Sequence, residues 1–139
     1  MPIRDCQFPY FHSDYCLSLP IKIINPHTNK SYRTNGIVDT GASQCFMPAR
    51  LAKLLGHNLC AGQKGTTLTG GGQTSTFIHT FTIEIYHPKD PNKTIVWTLD
   101  NVLINCVETL PDMLLGVKDF LSNFTLYINY PKRTFSLIH

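Results

Sequence analysis

Gly36-Ile37-Val38-Asp39-Thr40-Gly41-Ala42-Ser43 delivers a carboxylate, a hydroxyl and a glycine from an apolar, β-branched run into a tight bend. An Asp at the end of an apolar strand is costly to ionise unless hydrogen bonds or a neighbouring charge compensate. A glycine two residues on lets the backbone turn sharply or approach another group closely. Thr40 sets a donor and an acceptor beside the acid. One reading is an acid whose protonation is controlled for catalysis. The other is a strand end at which Asp caps a turn, which Asp-Thr-Gly often does. On these residues alone the turn cap is the default.

Upstream of the bend, Cys16 to Ile24 alternates loosely and is rich in Leu and Ile, which predicts a first strand. Asn25 to Lys30 is a turn by composition. Ser31 to Asp39 then reads as a second strand leading into the acid. Asn35-Gly36 inside it is a strong hairpin signal, but Ile37-Val38 continue the strand beyond it. The first fifteen residues are polar and aromatic, and read as an extension (arm, lid or leader) preceding a domain at 16–139.

Downstream, Pro48 to Gly56 has proline at a helix start and glycine at a helix end, so a short helix is expected. Ala61 to Gly65 reads as a loop. Thr66 to Tyr86 reads as two strands around Gly70-Gly71-Gly72, and His87 to Asn92 as a second loop. Thr94 to Leu99 and Asn101 to Cys106 read as separate strands. Met113-Leu114-Leu115-Gly116 is an apolar run ending in glycine. Val117 to Phe124 is expected to be a short helix, and Thr125–Asn129 with Thr134–Ile138 a closing hairpin. Many short strands with frequent turns predict an all-β barrel or sandwich.

The 139 residues suit one domain. With 42% hydrophobic and 15% charged residues the chain is globular, not disordered. A net charge of +3 without a basic stripe gives no footing for nucleic acid. No apolar run approaches the ~18 residues of a membrane span. A signal-peptide apolar region is likewise absent, which points to the cytoplasm. The five cysteines show no Cys-x-x-Cys, and His57 with Cys60 is the only close His/Cys pair. Neither a zinc site nor a cofactor is therefore expected, and the thiols read as small apolar residues. Cys45 lies near the acid motif without a visible base, so a packed thiol is the reading there. No histidine pairs by spacing with a nucleophile, and all six are expected at the surface.

Three segments, in this order, resemble the retroviral-type aspartic proteases (retropepsins) and their cellular and bacterial relatives. They are Ile37 to Ser43 followed by Met47-Pro48 and the Leu51 to Gly56 helix; the glycine hairpin Leu68-Thr69-Gly70-Gly71-Gly72; and Met113 to Leu121 followed by Leu126 to Pro131. The resemblance spans about Leu17 to Ile138 and reverses the odds on the bend. It implies a closed acid-protease barrel with one or two short helices, working as a two-fold homodimer on peptide or protein substrates. It makes Asp39 the catalytic acid. Thr40 would hold the two acid loops together across the dimer, and Gly41 would leave room for substrate. Ala42 and Ser43 would contact the substrate backbone. Gly70, Gly71 and Gly72 would form a flap tip, and Leu114-Leu115-Gly116 would pack against the acid loop. Ile37, Phe77, Ile78 and Leu114 are candidates to line side-chain pockets, with plain core packing the alternative for each and the preferred reading for Leu114. The chain departs from many relatives in two places: Val117 and Lys118 both stand between Gly116 and Asp119, and Ser43 stands where viral members often carry a second Asp.

Peptide hydrolysis by carboxyl groups needs one to take a proton from water and another to protonate the carbonyl. This chain has one Asp-Thr-Gly and no Asp-Ser-Gly, so the second acid would be Asp39 of another copy. The alternative is a non-catalytic peptide-binding or dimerisation module that keeps the same fold.

Overall fold

The computed structural model describes residues 8–9, 16–69 and 72–139. Strand β1 (Phe8–Pro9) precedes β2 (Leu17–Ile24), in which Leu17, Leu19, Ile21 and Ile23 are buried and their neighbours half-buried. That is the period of two that a half-covered strand requires. Asn25 then closes the turn to β3 (Ser31–Val38): its N–H donates to the Lys30 carbonyl at 2.9 Å and its Oδ1 accepts from the His27 N–H at 2.9 Å. β2 and β3 pair antiparallel from Leu17↔Val38 to Ile24↔Ser31. Asn35-Gly36 does not turn. Gly36 is buried in the strand because a Cβ there would meet Leu115 Cδ1 at 2.6 Å. Tertiary packing overrides the local hairpin signal.

β4 (Cys45–Pro48) runs into α1 (Ala49–Leu54), with Pro48 as N-cap and Gly56 at φ +91° just past the end. The C-terminal carbonyl of Leu55 accepts from Asn25 Nδ2 at 2.8 Å and from Thr28 Oγ1 at 2.9 Å. The first turn of the chain therefore satisfies the end of its helix. A 3₁₀ turn at Leu59–Ala61 leads to β5 (Gln63–Thr69), which pairs with β6 (Gly72–His87) as far as Thr69↔Gly72. The loop expected at Ala61 to Gly65 is thus half strand. The loop expected at His87 to Asn92 shrinks to two residues, because β7 (Asp90–Val107) already pairs at His87↔Asp90. β7 is one strand where two were expected. Its interruption at Asn101, which adopts φ +57°, is a bulge facing Phe81/Ile83 rather than a chain reversal.

β8 (Met113–Leu115) is followed by turns and a 3₁₀ segment at Leu121–Asn123, not by the expected helix over Val117 to Phe124. The N–H groups of Val117 and Lys118 are committed elsewhere, as described below, and Asp119 sits at φ +65°. β9 (Thr125–Asn129) and β10 (Thr134–Ile138) form the predicted closing hairpin, with β1 added to its edge through Phe8↔Phe135.

The larger sheet has the order β2-β3-β8-β4-β7-β6-β5, and β2 also pairs with β6 from Ile21↔Ile85 to Ile24↔Thr82. That seam closes six strands into a barrel and leaves β5 outside it, on the hairpin. Leu19, Ile21, Ile23, Met47, Phe81, Ile83, Ile85 and Phe120 fill the interior. Cys45 and Cys106 are among the buried apolar positions. The expected all-β barrel is the fold observed. Among the described residues no helix is long and apolar enough to cross a membrane.

The histidines are not all at the surface. His57 is half-buried, its ring 4.4 Å from that of His79, 4.6 Å from Phe81 and 6.2 Å from His27. Its Nε2 is buried with no hydrogen-bond partner. Burial first, and His79 second, hold this imidazole below the ordinary 6.5, and no carboxylate acts on it. The neutral ring is the form that fits. As pH falls through 6.5 the unfolded chain takes up a proton that the folded chain resists, so stability declines toward acid. Urea midpoints are expected to drop between about pH 7.5 and about pH 5, and His57→Phe should flatten that slope while keeping stability at neutral pH. An unchanged slope would remove His57 from the account.

Candidate active site

The acid loop connects β3 to β4, and β8 lies between these two strands. β8 pairs parallel to β3 (Gly36↔Met113, Ile37↔Leu114, Val38↔Leu115) and antiparallel to β4 (Phe46↔Leu114). Two strands joined by a loop cannot also pair with each other when a third is threaded between them. The loop must therefore span the gap, and its backbone groups turn to the thread. The Asp39 N–H donates to the Leu115 carbonyl at 3.0 Å, the Val117 N–H to the Ala42 carbonyl at 2.9 Å, and the Lys118 N–H to the Ser43 carbonyl at 2.9 Å. These three bonds clamp both ends of Asp39–Ser43 onto the segment around Gly116. Here the extra residue after that glycine has a use, since both Val117 and Lys118 donate. Asp119 accepts the Leu103 N–H at 3.3 Å, which ties the same turn to β7.

Gly116 is where thread and loop touch. A Cβ there would collide with the Gln44 carbonyl and lie 2.7 Å from the Ala42 oxygen. Both are backbone atoms and cannot rotate away.

Within the loop the Gly41 N–H donates to Asp39 Oδ1 at 2.9 Å, and the Ala42 N–H to the Asp39 carbonyl at 3.2 Å. One carboxylate oxygen is thereby held by the backbone of the loop. Asp39 is half-buried, whereas Thr40, Gly41 and Ser43 are exposed and Ala42 is half-buried. All five predicted loop residues thus come together on one open edge of the barrel. Gly72, at φ +105°, begins β6 at the end of the hairpin, with open space where a Cβ would be. Gly70 and Gly71 lie outside the described residues.

A row of side chains leads away from the acid. Ile37↔Leu114, Leu114↔Phe46, Phe46↔Asn105 and Asn105↔Ile78 are successive register partners across β3, β8, β4, β7 and β6. Partners on adjacent strands share a face, and Asp39, two residues after Ile37, continues it. Ile37, Leu114, Phe46 and Ile78 are half-buried on this face. Three of the four candidate pocket residues fall here. The fourth, Phe77, is displaced by one position onto the opposite face and packs against the core.

One group escaped sequence reasoning. Asn105 is a buried polar residue in an apolar run, which is a signal in itself. Its hydrogen-bond partners, Thr76, Gln44 and Cys45, could not be read from the sequence. Cys45 is the packed thiol expected: its Sγ lies 4.0 Å from the Lys118 carbonyl and meets the Gly116 backbone, and burial pushes it up to about 11. Cys106 is pushed up to about 12 by burial. Burial thus favours the neutral thiol at both positions, the behaviour of small apolar core residues.

A solved structure similar to this chain is that of a retropepsin-like aspartic protease from Rickettsia conorii. The match has a TM-score of 0.67 and 20% identity, and covers 94% of this chain and 87% of that one. Another is the EIAV protease in complex with an inhibitor, with a TM-score of 0.49, 18% identity, and coverage of 76% and 86%. No curated protein matches the chain. A family model described as aspartyl protease matches residues 24–118, which takes in the whole threaded loop from β3 through Gly116. With that match over more than half its length and a barrel of retropepsin type, the chain belongs to the aspartyl protease family.

Proposed function

We propose that the protein is an aspartic endopeptidase whose active site is completed by a second copy of the same chain. The observation that carries this reading is the open edge at Asp39. A single carboxylate sits there on a loop clamped by three backbone bonds, with its neighbours Thr40 and Gly41 exposed rather than packed. A two-fold axis beside this edge brings two Asp39 carboxyls together. At such a separation both cannot ionise, and the pair shares one proton, as in aspartic proteases generally. The ionised partner takes a proton from a water held between them, and the water oxygen bonds to the scissile carbonyl carbon. The protonated partner gives its proton to the carbonyl oxygen. Collapse of the resulting gem-diol breaks the C–N bond as a proton passes to the leaving nitrogen. Thr40 steadies the paired loops, and Gly41, Ala42 and Ser43 meet the substrate backbone.

A dimer with a composite site has a concentration-dependent rate. Hydrolysis of a fluorogenic peptide is expected to be blocked by pepstatin-type inhibitors, and specific activity should fall in proportion to dilution once sedimentation shows mainly monomer. Activity per chain that stays constant into that range would refute the composite site. A protein that binds peptides but cleaves none would support the binding-module reading instead.

A further inference from the structure

We infer that Asn105 is a positioning residue that orients the Gln44 side chain, and that this makes the cleft select substrates bearing a hydrogen-bond acceptor (a carboxamide or carboxylate) on a side chain near the cleaved bond. The inference rests on the peptidase reading above and specifies its substrate class. It starts from the row Ile37–Leu114–Phe46–Asn105–Ile78, in which one member is polar. Asn105 is 5% exposed, and Thr76, two residues before Ile78 on the same face, is fully buried. Burying these groups is tolerable only because each has a partner.

The partners fix the direction of every bond. Asn105 Nδ2 lies 3.2 Å from the Cys45 carbonyl, which can only accept. The amide nitrogen must therefore face the acid-loop side, and Asn105 Oδ1 faces β6, where it accepts from Thr76 Oγ1 at 3.3 Å. The second hydrogen of Nδ2 goes to Gln44 at 2.6 Å, so Gln44 must present Oε1 inward. Its Nε2, with two hydrogens, is left at the outer end. It has no partner among the described residues and is not a buried orphan. Gln44 stands two residues before Phe46, hence on the row's face, and immediately after Ser43 of the acid loop. This face thus presents apolar side chains at Ile37, Phe46, Leu114 and Ile78 and a donor-only tip at Gln44. A substrate carbonyl or carboxylate oxygen satisfies that tip, whereas a methyl or thioether strips water from it and returns nothing.

The test uses two peptides that differ only in Gln against Met at the position where a digest of a peptide library shows the strongest side-chain preference. Wild-type kcat/KM is expected to favour the Gln peptide about fivefold to tenfold, the worth of one neutral hydrogen bond. Gln44→Met should bring the ratio to about one. Asn105→Leu keeps the Gln44 side chain but removes the partner of buried Thr76 Oγ1 and of the Cys45 carbonyl, at a cost in stability, so a thermal melt first establishes that it folds; it too should reduce the ratio several-fold. A merely structural role for Asn105 would lower both rates together and leave the ratio intact, which would overturn the inference. Calorimetric binding of the same two peptides to Asp39→Asn protein separates the two levels. If no peptide is cleaved, the peptidase reading fails, and the binding ratio still decides: equal affinities overturn the role of Gln44 and Asn105, and a Gln preference lost in Asn105→Leu upholds it.

Discussion

Asp39→Asn is expected to abolish peptide hydrolysis, with a loss of about 10²–10⁴-fold or more, because in the proposed two-fold site one substitution removes both general acid and general base. The substitution is nearly isosteric. Its carboxamide oxygen still accepts the Gly41 N–H where Oδ1 does now, at 2.9 Å. The backbone bonds from Asp39 to Leu115 and from Ala42 to Asp39 do not involve the side chain at all. Stability should therefore change by no more than about 0.5 kcal/mol, as for substitutions away from buried features. Self-association should survive or strengthen, since two carboxyls no longer compete for one proton. The comparison needs purified wild type and variant, one fluorogenic peptide, a thermal melt and a sedimentation run. A folded, associating Asp39→Asn protein with activity within tenfold of wild type would mean that some other group does the chemistry.

Gly116→Ala tests the scaffold rather than the acid. A single methyl group would be driven into the Gln44 carbonyl and to within 2.7 Å of the Ala42 oxygen. Neither neighbour is a flexible side-chain end, so the loop must lift or β8 must retreat. Overpacking of this kind typically costs about 1–3 kcal/mol. Function is hit harder, since a displacement of ~1 Å at the reacting groups can cost about 10²-fold in rate. Lifting the loop also strains the bonds from Val117 to Ala42 and from Lys118 to Ser43, which hold its far end. Urea unfolding and the peptide assay should both register the change, with activity falling more steeply than stability predicts. Wild-type values for both would show that the loop and the thread do not touch as described.

How much of this was legible beforehand depends on how local the signal is. β2 announces itself through Leu17, Leu19, Ile21 and Ile23, because a period of two is written into consecutive residues. α1 is bracketed by Pro48 and Gly56, both of which act on their own backbone. Signals fail where distant partners outvote local ones. Asn35-Gly36 looks like a hairpin until Leu115 arrives to occupy the space a side chain would need. Val117 to Phe124 has helical composition, yet Asp119 sits at φ +65°, a backbone conformation that no right-handed helix contains. Phe77 and Ile78 were equally good pocket candidates by type, and only the register with Cys106 and Asn105 separates them. The polar relay is the extreme case: Asn105 joins residues 29 and 61 positions away, and nothing in its own neighbourhood names them.

The threaded strand also governs timing. A nascent chain shows its Asp-Thr-Gly bend early in synthesis, but the carbonyl that receives the Asp39 amide belongs to Leu115, far downstream. Pairings this remote are the last to form and close slowly. Until the ribosome has delivered β8, the bend has no fixed shape. The loop that carries Asp39 thus gains its anchoring bond only after a segment more than seventy residues downstream has been made.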